Sequence, residues 1–103
     1  MDAATALDTT PVATDDAVAL LATVADPVRW RVLRLLGSGQ ACVCEIQEQV
    51  PVASNLLSYH LRVLREAGLI TSSKRGRWVD YRLAPDAGAV LAAALPVGAP
   101  VQP

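Results

Sequence analysis

The spacing of apolar residues in the first third of the chain is that of short helices. Apolar positions three residues apart in segment 15–25 predict a first helix, which Asp15 or Asp16 can cap. Asp26 and Pro27 then predict a second start, because Asp is a favoured N-cap and proline suits the first helical position. Four apolar side chains form the inner face of this second helix: Val28, Val32, Leu35 and Leu36.

Two further helices are predicted in the middle of the chain. A short one covers about residues 43–49 and ends before Pro51, since the residue before a proline disfavours helical geometry. The next runs from about Ser54 to Ala67, and Gly68 suits the position that follows its last turn. Its inner face carries three leucines at helical spacing: Leu57, Leu61 and Leu64.

Toward the end of the chain the pattern changes to that of strands. Residues 69–71 and 78–83 are predicted as two strands, joined by a basic hairpin over residues 74–77 in which Gly76 supplies the turn. Segment 86–95 is almost entirely apolar, and a helix that is apolar on every side is normally buried. We therefore expect this last helix to lie at a subunit interface.

The order of these elements predicts a mainly α fold with a small β-hairpin, namely a winged helix-turn-helix. The first and last helices are expected at the interface of a homodimer. Residues 15–95 are expected to form the DNA-binding and dimerisation domain, with residues 1–14 as a flexible arm and 96–103 as a flexible tail. In this fold the second helix of the motif enters the major groove of double-stranded DNA, and the hairpin reaches phosphates or the minor groove.

Polar and basic side chains occupy the positions that would face DNA. On the predicted recognition helix they are Ser54, Asn55, Ser58, Tyr59 and Arg62. On the predicted hairpin they are Lys74, Arg75 and Arg77. The alternative for each is an ordinary solvated surface residue.

The charge of the chain is unevenly distributed. All nine basic residues lie between residues 29 and 82, where four acidic residues leave a net charge of +5, while the flanks carry −6. A face that binds a polyanion explains this asymmetry. On charge alone, chance clustering on a solvated surface explains it equally well.

Composition limits the class of protein. With 103 residues, of which 52% are hydrophobic and 18% charged, the chain has the size of one domain and is too apolar to be disordered. No apolar stretch is long enough to span a membrane, so no membrane partner is expected. Two cysteines without an export signal predict reduced thiols in a cytoplasmic protein.

Three linked segments, at residues 20–36, 58–70 and 76–83, together resemble one known family, the ArsR/SmtB metal-responsive repressors. Residues 20–36, which include the run DPVR, are similar to the opening of these proteins. Residues 58–70 (SYHLRVLREAGLI) are similar to their recognition helix and its exit, and residues 76–83 (GRWVDYRL) are similar to their wing. The resemblance covers about residues 16–95. It implies a homodimeric transcriptional regulator that binds a palindromic operator and usually leaves it when an effector binds.

Cys42 and Cys44, in the run CVCE, resemble the thiolate motif of the arsenic- and cadmium-sensing branches of that family. Soft thiolates favour arsenite, cadmium, zinc and Cu(I) over hard ions. On an intact helix residues i and i+2 point about 200° apart, so binding one ion requires a first turn that is non-helical or that unwinds. Gln47 stands where arsenic-sensing members often carry a third cysteine. A small thiol, or an oxygen or nitrogen ligand, would then have to complete the site.

Other ligands and other roles stay open at this point. Asp2, Asp8 or the terminal amine of Met1 would favour nickel, zinc or cadmium over arsenite. The two cysteines can also be small buried hydrophobic residues, or oxidise as a switch. The effector can release DNA or promote its binding.

Two other classes of protein fit the sequence less well. A thiol oxidoreductase would be expected to have Cys-x-x-Cys spacing and a βαβ context, and no other catalytic set is present, so we predict no enzyme. A winged helix that binds only protein would not need a basic hairpin. His60 is predicted to fill a polar niche at a helix boundary, Trp30 and Trp78 to pack, and Arg29 to lie on an outer face.

Overall fold

The computed structural model describes residues 13–97, which form five α-helices and three β-strands. The helices are α1 (Thr14–Val24), α2 (Pro27–Leu36), α3 (Val43–Gln49), α4 (Ser54–Glu66) and α5 (Ala87–Ala94). The strands are β1 (Ala41–Cys42), β2 (Ile70–Arg75) and β3 (Trp78–Leu83). Helices α3 and α4 form the helix-turn-helix, and β2 and β3 form the wing. The predicted winged helix-turn-helix is confirmed.

Most of the predicted arm (residues 1–14) and of the predicted tail (residues 96–103) lies outside the described residues. Helix α1 begins at Thr14 after Ala13, which makes no side-chain cap, so the prediction that Asp15 or Asp16 caps it was wrong. Both aspartates lie instead in the first turn, where the positive end of the helix dipole stabilises their negative charge. Within residues 13–97 no helix is long and apolar enough to cross a lipid bilayer.

The core is aliphatic, as the absence of phenylalanine requires. The three leucines predicted to line the inner face of α4 are buried there, which confirms the helical spacing read from the sequence. They belong to one cluster with α2, α3 and the start of β2. Its largest fully buried side chains are Ile46, Leu57, Leu61, Leu64, Leu69, Ile70, Val32 and Val50. This cluster fixes the position of α4 relative to the other elements.

Helix α4 ends in a Schellman motif, which sets the direction of the chain into the wing. Gly68 has a φ of +79°, a left-handed conformation that suits glycine. Its N–H donates to the carbonyl of Arg65 at 3.0 Å, and the N–H of Leu69 donates to the carbonyl of Leu64 at 3.1 Å. The predicted role of Gly68 after the last turn is confirmed.

The wing has a longer first strand and a shorter turn than the sequence predicted, while the second strand has the predicted bounds. Strand β2 pairs antiparallel with β3 as far as Arg75 opposite Trp78, so Lys74 and Arg75 belong to the strand. The turn consists of Gly76 and Arg77, and the φ of +63° at Gly76 is that of the first residue of a type II′ turn. The polar run in β2 lacks the alternation that signals a strand, and pairing with β3 overrides it.

A third strand was not predicted. β1 pairs with β3 through Ala41 opposite Tyr81 and Cys42 opposite Asp80, giving the strand order β1-β3-β2. Two residues are too few to show a period, so this pairing could not be read from the pattern. It ties the chain just before α3 to the centre of the wing sheet.

The two tryptophans do not pack as predicted. The side chains of Trp30 and Trp78 are 56% and 48% exposed, because Trp30 faces outward from α2 and Trp78 is the first residue of β3, next to the turn. Arg29 was expected on the outer face of α2, but it is partly buried. The two tryptophans therefore contribute little to the core of this chain.

The N-cap of α2 gives the first testable prediction. The carboxylate of Asp26 accepts from the N–H groups of Val28 at 2.8 Å and Arg29 at 3.1 Å, as the sequence predicted. We expect Asp26→Ala to lower the free energy of unfolding by about 0.5–2 kcal/mol, because two helix N–H groups lose their acceptor. Asp26→Asn, which can still cap, is the matched control in urea denaturation. Equal losses in the two variants would contradict the capping role.

Candidate functional site

The polar face of α4 is exposed, and it carries every residue predicted to read DNA from this helix. These residues are Ser54, Asn55, Ser58, Tyr59 and Arg62. The guanidinium of Arg62 lies over the ring of Tyr59, 5.6 Å from its centroid. A cation–π contact of this kind restricts the directions in which the arginine can point. The face thus presents one oriented cation among neutral hydrogen-bonding groups.

The three basic residues predicted for the wing differ in their surroundings. Lys74 and Arg77 are exposed and extend from the end of the hairpin. Arg75 instead makes a two-pronged pair with Asp80 of β3, with Nε to Oδ2 at 2.9 Å and Nη2 to Oδ1 at 3.2 Å. The hydrogen bond from Arg75 holds the pKa of the buried Asp80 carboxyl below its usual value. Lys74 and Arg77 are therefore less constrained than Arg75 within the wing.

A polar contact inside the fold ties α2 to the recognition helix. His60 of α4 is buried, and Nη1 of Arg29 donates to its Nδ1 at 3.0 Å. Because arginine can only donate, Nδ1 of His60 must be the unprotonated acceptor. Nε of Arg29 also donates to the carbonyl of Thr23 at 2.6 Å. The predicted niche for His60 at a helix boundary is present, and Arg29 fills it.

The two cysteines lie together in spite of their spacing. Cys42 has extended backbone (φ −80°, ψ 164°) and belongs to β1, while Cys44 lies in the first turn of α3. Their Sγ atoms are 2.6 Å apart, with Cys42 buried and Cys44 exposed. The sequence required a first turn that is non-helical or unwinds, and the structure has the first of these. Since a thiophilic ion such as zinc lies about 2.3 Å from each sulfur, small side-chain rotations would let both bind one ion.

The surroundings of the dithiol fix its geometry and its protonation. The N–H of Cys42 donates to Oε1 of Glu45 at 2.8 Å, so the sequence Cys-x-x-Glu acts as a capping box. The hydrogen bond with Cys42 raises the pKa of the Cys44 thiol above its usual value. Cys44 is therefore held as a thiol until a ligand or an oxidant displaces its proton.

Cys42 is also in contact with the wing through the sheet. It stands opposite Asp80 in the β1–β3 pairing, and Asp80 holds Arg75. The hydrogen bond to Asp80 raises the pKa of Arg75, and the charge of Glu45 adds to this. One cross-strand neighbour therefore separates Cys42 from a basic wing residue.

Cys44 faces the other half of the DNA-binding surface. An open groove between α3 and α4 is lined by Val43, Cys44, Gln47, Glu48, Ser54 and Ser58. Gln47, at the position where a third cysteine was noted as absent, uses its side-chain amide to donate to the carbonyl of Val52. Within residues 13–97 no three His, Cys, Asp or Glu side chains lie close enough to hold one metal ion. The described residues thus bring two thiols together without a third His, Cys, Asp or Glu side chain placed to share an ion with them.

Comparison with known proteins places this geometry in a family. The family described as "Bacterial regulatory protein, arsR family" matches residues 26–72. A crystal structure described as a possible transcriptional regulator for arsenical resistance is 43% identical, with a TM-score of 0.68 over 72% of this chain and 77% of that one. This chain belongs to the ArsR family. The resemblance to ArsR/SmtB proteins inferred from the sequence is confirmed.

Curated relatives of this ArsR-family chain carry names of repressors. The arsenical resistance operon repressor of Escherichia coli K12 is 38% identical over 69 residues, which are 66% of this chain and 59% of the relative. The repressor SmtB of Mycobacterium tuberculosis is 41% identical over 70 residues, 68% of this chain and 52% of the relative. The chain thus spans between half and three fifths of the length of these two relatives.

The sequence did not reveal the inner contacts of this ArsR-family site. Asp80 and Arg29 were not named as functional residues, because Cys42 opposite Asp80 and His60 beside Arg29 are distant from them in the chain. The one local signal was Cys-x-x-Glu, which has the spacing of a capping box with sulfur in place of a hydroxyl.

The Arg75–Asp80 pair predicts how stability depends on pH. Since the pKa of Asp80 is lower in the folded chain than in the unfolded one, the pair stabilises the fold above about pH 4 and loses that effect as pH falls further. We expect Asp80→Asn to lower the Tm at neutral pH, and its difference from wild type to shrink between about pH 5 and pH 3. Thermal melts across this range measure the difference. Asp86→Asn, an exposed position without a side-chain cap, is the control, and a pH-independent gap would contradict the assignment.

Proposed function

We propose that this ArsR-family chain is a DNA-binding transcriptional repressor that leaves its operator when a thiophilic effector binds Cys42 and Cys44. The observation that supports this most is the position of the dithiol between the two DNA-binding elements. Cys42 is paired with the central strand of the wing, and Cys44 lines the groove beside α4. The names of the relatives in Escherichia coli and Mycobacterium tuberculosis support repression rather than catalysis.

The DNA contacts divide by chemistry. Ser54, Asn55 and Ser58 offer neutral hydrogen-bonding groups near the start of α4, and Arg62 with Tyr59 lies one turn further on. These five side chains would read base edges in the major groove. Lys74, Arg77 and, through its free donors, Arg75 would bind phosphates from the wing.

A second copy of the chain is the natural partner. Helices α1 and α5 pack against each other, yet Val18 of α1 and Leu95 beyond α5 are 60% and 48% exposed. Residues of α5 are apolar all round, and several of them are only partly covered within one chain. A homodimer that buries this surface would place two α4 helices about one DNA turn apart, as a palindromic operator requires.

The effector response would follow from the contacts that each cysteine makes with its neighbouring elements. To bind one ion both sulfurs must lose their protons, and the thiol pair then changes its spacing and its charge. Cys42 would transmit this change to Asp80 and Arg75 through the sheet, while Cys44 would transmit it to the groove beside Ser54 and Ser58. Arsenite, zinc, cadmium and nickel are the candidate effectors, and their shared requirement is a soft or borderline ion. Reduced thiols suit the cytoplasm.

The test is fluorescence anisotropy of a labelled duplex from the region upstream of the gene. The reduced protein is expected to bind an inverted repeat, with affinity that falls as salt rises. Arsenite with excess small thiol, zinc, cadmium and nickel are then added in separate titrations. Release by at least one of them supports the proposal. Failure to bind the duplex, or tight binding that none of them alters, would overturn it, and release by peroxide alone would make the dithiol an oxidant sensor.

A further inference from the structure

We propose that Arg29 of α2 sets the operator preference from inside the fold, as a positioning residue for the arginine of the recognition helix. It acts on Arg62 through two neighbours in α4, His60 and Tyr59. The inference rests on the proposed function, and it deepens that function by naming a residue that controls sequence preference without touching a base. Four contacts in series carry it, and they join Thr23 of α1 to Arg62.

The guanidinium of Arg29 is fixed by hydrogen bonds to two different helices. Its Nε donates to the carbonyl of Thr23 in α1 at 2.6 Å, and its Nη1 donates to Nδ1 of His60 in α4 at 3.0 Å. Because the guanidinium is planar and its donors have a fixed geometry, these two bonds together fix the His60 ring relative to α1 and α2. A lysine, which carries one ammonium on a flexible stem, could not hold both partners in the same way.

Burial leaves the ring of His60 with few alternatives. The residue is 6% exposed, and a buried polar ring requires a hydrogen-bond partner. Oδ1 of Asp26 lies 4.0 Å from Nδ1 of His60, which is beyond hydrogen-bond distance. This oxygen accepts instead from the N–H groups of Val28 and Arg29. Arg29 is therefore the residue that holds Nδ1 of His60.

The fixed ring of His60 supports the aromatic residue beside it. The ring centroids of His60 and Tyr59 are 5.1 Å apart and their planes meet at 64°, an edge-to-face arrangement that aromatic pairs favour. The ring of Tyr59 in turn lies under the guanidinium of Arg62, 5.6 Å away. The direction of Arg62 therefore depends on a ring whose position is fixed through His60 and Arg29.

An Arg62 side chain that is oriented before DNA arrives favours the operator over other sequences. A free arginine samples many rotamers, and fixing them is part of the cost of binding. In the operator complex Arg62 must be fixed against a base edge, whereas in a non-specific complex phosphate contacts supply the affinity and Arg62 can stay mobile. Orientation in advance therefore raises the affinity for the operator more than the affinity for a scrambled duplex.

The experiment measures the affinity of the full-length chain for the operator duplex and for a scrambled duplex by fluorescence anisotropy. We expect Arg29→Met to lower the ratio of the two affinities at least about fivefold, and to change binding of the scrambled duplex less than about twofold. Arg31→Met is the matched control, because Arg31 lies on the same helix and is exposed, and it is expected to leave the ratio unchanged. An unchanged ratio in Arg29→Met, or an equal fall in Arg31→Met, would overturn the inference.

Two further variants separate a positioning role from a purely structural one. Arg29→Met in the Arg62→Ala background is expected to change the ratio less than about twofold, since the side chain that it positions is gone. His60→Asn can still accept from Arg29 through its Oδ1 but lacks the ring, so we expect the chain to stay folded and the ratio to fall. This second variant keeps the test decisive if Arg29→Met does not fold. A fall that persists in the Arg62→Ala background, or a wild-type ratio in His60→Asn, contradicts the positioning role.

A measurement without DNA separates this inference from the proposed function. In NMR relaxation of the free chain, the Nε–H group of Arg62 is expected to be ordered in the wild type and to become as mobile as that of Arg31 in Arg29→Met. If it does so but no duplex is bound, the repressor function is wrong and the positioning of Arg62 by Arg29 stands. If the operator is bound selectively but neither the mobility of Arg62 nor the affinity ratio changes in Arg29→Met, the repressor function stands and this inference is overturned.

Discussion

The variant Cys42→Ser/Cys44→Ser is expected to bind operator DNA with the affinity of the wild type and to lose effector-induced release entirely. Serine preserves the local fold, because it is itself a favoured N-cap and can replace Cys42 at the start of α3. Cys44 is exposed, so its replacement leaves no cavity. Hydroxyl groups are hard, weakly acidic donors and do not hold soft ions. The measurement is the anisotropy of the bound duplex during titration with the effector.

The single variants serve as controls for this prediction. Each retains one thiol, so we expect weak binding and a response that needs much more effector, because the second bond to the same ion is lost. A melting temperature close to that of the wild type shows that the fold is intact. Release of DNA from the double variant at the same effector concentration as the wild type would place the sensing site elsewhere.

A second large effect is expected from two variants that distinguish the reading of bases from the binding of phosphates. Arg62→Ala is expected to cost about 1–3 kcal/mol on the best operator and to relax the sequence preference, because an oriented arginine on the recognition helix is lost. Lys74→Ala is expected to weaken binding to all duplexes alike. It is also expected to reduce the slope of log K against log salt concentration by about 1, the value for one phosphate contact. Binding isotherms on operator and scrambled duplexes at several salt concentrations measure both.

Arg82→Ala is the matched control for both variants. Its side chain also carries one positive charge, but it lies at the far end of β3 from the turn and donates to Gln40 at 2.7 Å. We expect little change in operator affinity or salt slope. If Arg62→Ala and Lys74→Ala both behave like Arg82→Ala, the docking of α4 and the wing on DNA is refuted.

The helices could be predicted from the sequence because their signals are local. Asp26 and Pro27 at one start, Gly68 at one end and three leucines on one face each act within a few residues. These signals set the caps and the buried face before any distant contact forms. The recognition helix was therefore located correctly, with its polar residues outward.

The sheet and the inner contacts could not be predicted in the same way. Strand β1 has two residues and is a strand only through its pairing with β3. The polar end of β2 is likewise a strand because it pairs with β3 as far as Arg75. Arg29 and His60 are 31 residues apart, so their contact depends on the packing of α2 on α4. No local pattern encodes these pairings, since each depends on the tertiary arrangement.

The geometry of the cysteine pair was the least predictable part of the site. The spacing i, i+2 separates the two side chains if both residues are helical, and the sequence alone did not show where the helix begins. The structure starts it one residue after Cys42, and this single boundary brings the sulfurs together. A shift of the helix start by one residue would have changed the chemistry of the site.

The unequal exposure of the two sulfurs gives the sensor an order of events in time. An incoming ligand meets Cys44 first, since Cys42 is buried. The second bond then closes within one chain, where the effective concentration of Cys42 is far above that of any free thiol in the cell. Loss of the ligand requires both bonds to be open at the same time. When a competing thiol breaks one bond, that bond usually re-forms before the other opens. The chain would therefore bind the ligand quickly during a brief exposure to it and release it slowly afterwards.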